Sequence, residues 1–170
     1  MLEIFNELEP FFQDNYRRIN IREYARLSKI SPPSASKRLA AFRKEGLLKN
    51  ENDRKYIYYY ANRESQLFVG LSRLYWQVEF EKCGLISHIE KELVEPVVVL
   101  FGSFSKAEIK HDSDIDIAVF SVSRKDINLG RFEGRLGRKV QLFAYGDRND
   151  VKSRELLNNI MNGFIIRGSW

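Results

Sequence analysis

One cysteine, two histidines and four prolines in 170 residues set limits before any motif is read. Cys83 alone can form neither an intramolecular disulfide nor a cysteine-cluster metal site, and the expected setting is a reducing cytoplasm. Nothing in the sequence around His88 forms a metal site. No apolar run approaches the roughly 20 residues of a membrane span. The opening MLEIFNELEP has no basic-then-apolar layout, so neither a signal peptide nor a membrane partner is expected. What is present describes a folded protein: 44% hydrophobic and 30% charged residues, too apolar for a disordered chain. The length suits one sizeable domain or two small ones.

The net charge of +5 and a pI near 9.3 permit a nucleic-acid partner without requiring one. Charge placement is more informative. Residues 1–62 carry a net +4, residues 63–96 a net −2 and residues 97–170 a net +3. Two basic ends joined by an acidic middle predict two modules and a connector: 1–62, 63–94 and 95–170.

In the first module, Ile4, Phe5, Leu8, Phe11 and Phe12 form a helical stripe interrupted at Pro10. Asn20 with Glu23 makes a capping box for a second helix, predicted to bury Ile21, Tyr24, Ala25 and Leu27. Ser31 followed by Pro32 opens a third helix, which buries Ala35, Leu39 and Phe42 and stops at Gly46. A polar break over 50–54 and the β-prone run Lys55–Tyr60 complete a hairpin. IREYARLSKISPPSASKRLAAFRKEGLLK with the wing KYIYYY resembles a winged helix-turn-helix domain. The resemblance implies DNA as a partner, with the third helix in the major groove and the wing on the backbone. Ser34, Ser36, Lys37 and Arg38 would face DNA, with Arg43, Arg54 and Lys55 nearer the phosphates. A solvated basic face, or a protein-binding module, is the alternative.

From Glu64 to Lys82, the residues Leu67, Leu71, Leu74, Tyr75 and Val78 repeat at helical spacing, with Phe68 and Trp76 widening the stripe. Such a helix packs on its own chain or on a second copy, and a homodimer is the favoured expectation. A shorter helix, Leu85–Leu93, buries Ile86, Ile89 and Leu93.

The stretch VVVLFGSFSKAEIKHDSDIDIAV, from Val97 to Val119, organises the last module. A buried strand leads into Gly102-Ser103, and a second strand begins Asp114-Ile115-Asp116. Residues i and i+2 of a strand share a face, so the two carboxylates project together while Ile115, Ile117 and Val119 point to the core. Paired like charges favour a divalent cation, and the Gly-Ser turn offers N–H groups and a hydroxyl to phosphate. Gly102-Ser103, Lys106-Ala107 and Asp112-Ser113-Asp114-Ile115-Asp116 resemble the signature of the polymerase-beta nucleotidyltransferase superfamily, closest to its minimal stand-alone branch. The resemblance implies an α+β fold with a mixed sheet and flanking helices. It implies that Gly102, Ser103 and Lys106 bind the phosphates of a nucleoside triphosphate, ATP first, and that Asp114 and Asp116 are catalytic and hold Mg²⁺.

Two departures qualify the resemblance. Ala107 stands where the family usually has glycine. More seriously, the family's third carboxylate falls on the strand Arg138–Ala144, where Gln141 occupies its place. A glutamine amide is neutral and cannot act as a general base. Asp147 is the nearest substitute, in a loop past Gly146. His111 is either a phosphate contact or solvated. Arg131 and Arg135, on a helix predicted over 127–136, form a solvent face or an acceptor surface. Asn149-Asp150 are expected to cap a last helix that buries Val151, Leu156, Leu157, Ile160 and Met161.

Two functions are therefore expected. One is an enzyme moving a nucleoside monophosphate from a triphosphate onto an acceptor hydroxyl; relatives of this branch pair with a HEPN-type toxin, which implies a protein acceptor in a toxin–antitoxin pair. The other is a transcription regulator that senses nucleotide without turnover.

Overall fold

The computed structural model describes residues 3–123 and 125–170. The chain is mixed α+β, with two sheets, and divides into two compact units. Met1–Ser72 with Ala107–His111 form the first; Arg73–Lys106 with Asp112–Trp170 form the second.

In the first unit, α1 (Glu3–Gln13) carries Pro10 within it and buries Phe5, Leu8, Phe11 and Phe12. Strand β1 (Ile19–Asn20) runs directly into α2 (Ile21–Leu27). The Asn20 side chain accepts the Glu23 N–H at 3.0 Å, the cap expected from the sequence. Leu27 is exposed rather than buried. Ser31 caps α3 (Pro32–Lys44), which buries Ala35, Leu39 and Phe42. Next comes a hairpin of β2 (Leu48–Asp53) and β3 (Tyr56–Ala61). The run 50–54 is not a break: Asn50–Asp53 pair with Tyr56–Tyr59 in full register, leaving a two-residue turn. Polar residues form a strand here because sheet pairing satisfies the backbone whatever side chains point to water. β1 adds to β3, so the antiparallel sheet order is β1-β3-β2.

Helix α4 (Gln66–Cys83) departs from the expected stripe. Phe68, Val69, Tyr75, Trp76 and Phe80 are buried, whereas Leu67 is 56% and Leu74 47% exposed. Phe68, Tyr75 and Trp76 are buried as the stripe predicts, but Leu67 and Leu74, placed in the same stripe, face solvent. The bulkier aromatic residues bury more apolar area each and decide which side faces the core.

The second unit continues with α5 (Leu85–Glu92), β4 (Val97–Phe101), α6 (Gly102–Lys106), β5 (Ile115–Phe120), α7 (Gly130–Leu136), β6 (Val140–Tyr145), α8 (Arg154–Met161) and β7 (Phe164–Arg167). The sheet order is β6-β5-β4-β7. β5 and β6 are parallel, and the other pairs are antiparallel. One face, with Val99, Phe101, Ala118 and Phe120, packs against Val151 and Ile160. The alternating residues Val98, Leu100, Ile115, Ile117 and Val119 are also buried, so the central strands are covered on both sides. Three expectations shift here. Gly102-Ser103 begins a helical turn, α7 starts at Gly130 rather than 127, and α8 is capped by Ser153 rather than by Asn149-Asp150. Met161 is 37% exposed.

Gly163 joins α8 to β7 where a Cβ would lie 2.6 Å from the Leu100 carbonyl oxygen and 2.7 Å from Val99 Cγ1. Gly163→Ala is expected to destabilise the protein by about 1–3 kcal/mol, the usual cost of forced overpacking. Urea unfolding of the two proteins checks this.

Candidate functional site

Antiparallel pairing sets Phe101 of β4 opposite Asp116 of β5. The chain then turns at Gly102, whose φ is +65°. A Cβ on Gly102 would sit 2.2 Å from Asp116 Oδ2, so the carboxylate rests against the glycine backbone, and a larger residue there would have to displace it and accept a left-handed backbone. Helix α6 follows at once, with Ser103 half-buried and Lys106 exposed at its end. Inside the helix, the Ser105 hydroxyl donates to the Gly102 carbonyl at 2.9 Å. Ala107 has φ +52° and is fully buried. That left-handed backbone is the physical reason a glycine is at home there.

On the parallel side, Asp116 pairs in register with Gln141 of β6. The Gln141 amide donates to Asp114 Oδ2 at 2.7 Å. Asp114, Asp116 and Gln141 thus form one group of three, two acids and an amide. Burial, and secondly the charge of Asp114, push the Asp116 carboxyl above the ordinary aspartate range. The loop entering β5 is clamped twice. Arg138 Nη1 donates to the Ser113 carbonyl at 2.9 Å, and the Ile115 N–H donates to the Lys139 carbonyl at 2.9 Å. The Arg138 guanidinium lies over the rings of Trp76 and Phe104, 5.6 and 5.4 Å from their centroids. Sequence reasoning passed over Arg138; an arginine opening a strand beside the acidic motif was the available signal.

Asp147 does not substitute for the third acid. It lies beyond the end of β6, six residues and about 20 Å of extended chain from Gln141. There it accepts the Asn149 N–H at 2.6 Å and lines a cavity of about 520 Å³ with Val94, Phe120, Arg148 and Trp170. Parallel strands carry their residues the same way, so Asp147 leaves by the Phe120 end while Asp116 stays at the start.

Among the described residues no group of three His, Cys, Asp or Glu side chains could hold a metal ion. Two carboxylates nevertheless fit Mg²⁺ that arrives with phosphates, since that ion is commonly held by one or two carboxylates, substrate oxygens and water. An amide at Gln141 can also turn its carbonyl oxygen toward a cation.

The pair of carboxylates thus lies beside the turn at Gly102, on a mixed sheet. A family model described as Polymerase beta, Nucleotidyltransferase matches residues 85–161, and so takes in Gly102, Asp114, Asp116 and Gln141. This segment is thus similar to polymerase-beta-type nucleotidyltransferase domains, a class that uses nucleoside triphosphates and a divalent metal. No curated protein matches the chain.

In the first unit, Lys37 and Lys44 stand seven residues apart on the side of α3 opposite Ala35, Leu39 and Phe42, and both are exposed. Ser36 and Arg43 flank them on one side, Ser34 on the other. Arg38 departs from the expectation: it ion-pairs with Glu7 of α1 and reaches within 4.0 Å of Glu3. Arg54 and Lys55 form the exposed hairpin turn, Arg54 with φ +55°. Among the described residues no helix is long and apolar enough to cross a membrane.

The raised pKa of Asp116 makes a signed prediction. Its charged form is disfavoured in the folded state, so ionisation costs stability at neutral pH and nothing once the carboxyl is protonated in both states. Asp116→Asn is expected to raise the melting temperature at pH 7. The gain should vanish as the pH falls below the ordinary aspartate range, as melts across pH 3–8 would show.

Proposed function

We propose that the chain is a nucleotidyltransferase that binds a nucleoside triphosphate with Mg²⁺ and transfers its nucleoside monophosphate to an acceptor hydroxyl. The observation that carries this reading is the contact of Asp116 with the Gly102 backbone, which brings the acid pair beside the start of α6. Gly102, Ser103 and Lys106 hold the triphosphate, of which ATP is the first candidate. Asp114 and Asp116 face its inner phosphates. Mg²⁺, when bound, neutralises phosphate charge and polarises the α-phosphorus. The acceptor hydroxyl gives up its proton to solvent as its oxygen bonds to that phosphorus, the bond to the bridging oxygen breaks, and pyrophosphate leaves. A protein hydroxyl, of the HEPN-type partner that the resemblance implies, is the proposed acceptor.

Gln141 favours a second reading. A neutral amide stands where a base would, so the acceptor proton has no third carboxylate to take it. The same site then serves a transcription regulator that senses nucleotide. The order of three helices and an antiparallel hairpin supports a winged helix-turn-helix over residues 1–62, with 63–94 as connector and 95–170 as nucleotidyltransferase domain. Its DNA face is Lys37, Lys44, Ser34, Ser36 and Arg43, with Arg54 and Lys55 from the wing; Arg38 braces α3 against α1.

Incubation with Mg²⁺ and α-labelled ATP, GTP, CTP or UTP, with and without candidate acceptor protein, tests the first reading. Label transfer is expected, falling at least about 100-fold in Asp114→Ala, while Gln141→Asp is expected to raise it by about 100-fold, the lower range for an added general base. Triphosphate binding without transfer leaves the sensor reading. For DNA, Lys37→Glu with Lys44→Glu is expected to abolish a salt-sensitive gel shift. Unchanged binding in that double variant removes this face from the proposal.

A further inference from the structure

Asp114 and Asp116 share a face but are not held alike. Asp116 lies within β5, opposite Phe101 of β4 on one side and Gln141 of β6 on the other. Asp114 precedes the strand, which begins at Ile115, so its own backbone lies outside the ladder. Neighbours on the approach to β6 hold it instead. The Ser113 carbonyl accepts from Arg138 Nη1 at 2.9 Å, and the Ile115 N–H donates to the Lys139 carbonyl at 2.9 Å. The Asp114 carboxylate itself accepts from the Gln141 amide at 2.7 Å. A peptide unit is planar, so the bond to the Ser113 carbonyl fixes the plane that ends at the Asp114 Cα.

Arg138 is held in its turn. It is half-buried, and its guanidinium lies 5.6 Å from the Trp76 ring centroid and 5.4 Å from that of Phe104. Both rings are buried and meet edge to face with centroids 4.7 Å apart. A guanidinium stacked on aromatic rings keeps its in-plane N–H groups for hydrogen bonds, and here one of them goes to Ser113. The Arg138 backbone is fixed as well: its N–H donates to the Glu133 carbonyl at 3.3 Å, and the Glu133 carboxylate accepts the Val140 N–H at 2.9 Å. Phe104 is the middle residue of α6, between Ser103 and Lys106. All of these residues belong to the second unit. One guanidinium thus reaches both the helix assigned to the phosphates and the peptide that carries the first acid.

We propose that Arg138 is a positioning residue for the nucleotide site: stacked on Phe104 and bonded to the Ser113 carbonyl, it sets Asp114 relative to α6. It acts through Asp114 rather than on the nucleotide. The inference rests on the reading of Gly102, Ser103 and Lys106 as phosphate ligands and of Asp114 as a Mg²⁺ ligand. A residue that sets the two against each other governs how far Mg²⁺ tightens the nucleotide. Because coupling of this kind is reciprocal, Mg²⁺ and nucleotide bound together also strengthen the hold of Arg138 on Ser113.

The test uses the full chain. The dissociation constant for ATP, or for whichever triphosphate binds, is measured with saturating Mg²⁺ and again in excess EDTA. Arg138→Met keeps apolar length beside the rings and removes the charge and the donors. The factor by which Mg²⁺ tightens the nucleotide is expected to fall about tenfold in this variant. A residue that merely supported the fold would weaken both constants alike and leave that factor unchanged. In the wild type, nuclear magnetic resonance follows rotation of the Arg138 guanidinium about its Nε–Cζ bond. That rotation is expected to be about tenfold slower with Mg²⁺ and nucleotide together than with nucleotide alone. An unchanged factor in an Arg138→Met protein that melts normally overturns the proposal. Unchanged rotation in a saturated wild type overturns it as well, and this arm stands even where the variant does not fold. Failure of the wild type to bind any of the four triphosphates is a different result, and it removes the nucleotide reading together with this inference. Wild-type binding that Mg²⁺ leaves unaltered removes the Mg²⁺ reading of Asp114, and this inference with it.

Discussion

The site depends on a carboxylate pressed against a glycine. The register of β4 on β5 brings Asp116 to the end of β4, and a Cβ at Gly102 would collide with its carboxylate oxygen where it stands. Burial desolvates the acid, and the neighbouring Asp114 adds like charge. Neither effect helps folding. Both are tolerated because the strands that carry them are covered by apolar residues on both faces, and burial of each large side chain contributes roughly 1.5–3 kcal/mol. A site that costs stability is a common mark of function.

The second consequence follows from the parallel pairing of β5 with β6. It carries Gln141 to the place beside Asp116 and lets its amide bond Asp114. An amide there relieves part of the repulsion between two acids without adding a third charge. It suits an arrangement that holds a cation and phosphates, and it withholds the group that would accept a proton. Binding and turnover thus ask different things of one position.

The acid pair is also anchored by a residue outside the motif. Arg138, stacked on Trp76 and Phe104, holds the loop before Asp114 from within the same unit. It carries none of the chemistry. Positioning groups of this kind are chosen by where the backbone passes, which a motif does not encode.

Much was legible without coordinates, because the signals concerned are local. Asn20 and Ser31 cap the helices that follow them, since a cap needs only a side-chain oxygen two or three residues before an open N–H. The alternation at Asp114 and Asp116, the turn at Gly102 and the place of Gln141 likewise rest on period-two strands and short spacing. Other features were decided only by tertiary structure. Leucine spacing on α4 pointed to Leu67 and Leu74, but competition with the aromatic face left them in solvent. Arg38 sits on a basic helix, yet Glu7, 31 positions earlier in the chain, captures it. Asp147 is near Gln141 in sequence and far along the strand in space. In each case a residue had two local possibilities, and its distant neighbours selected one.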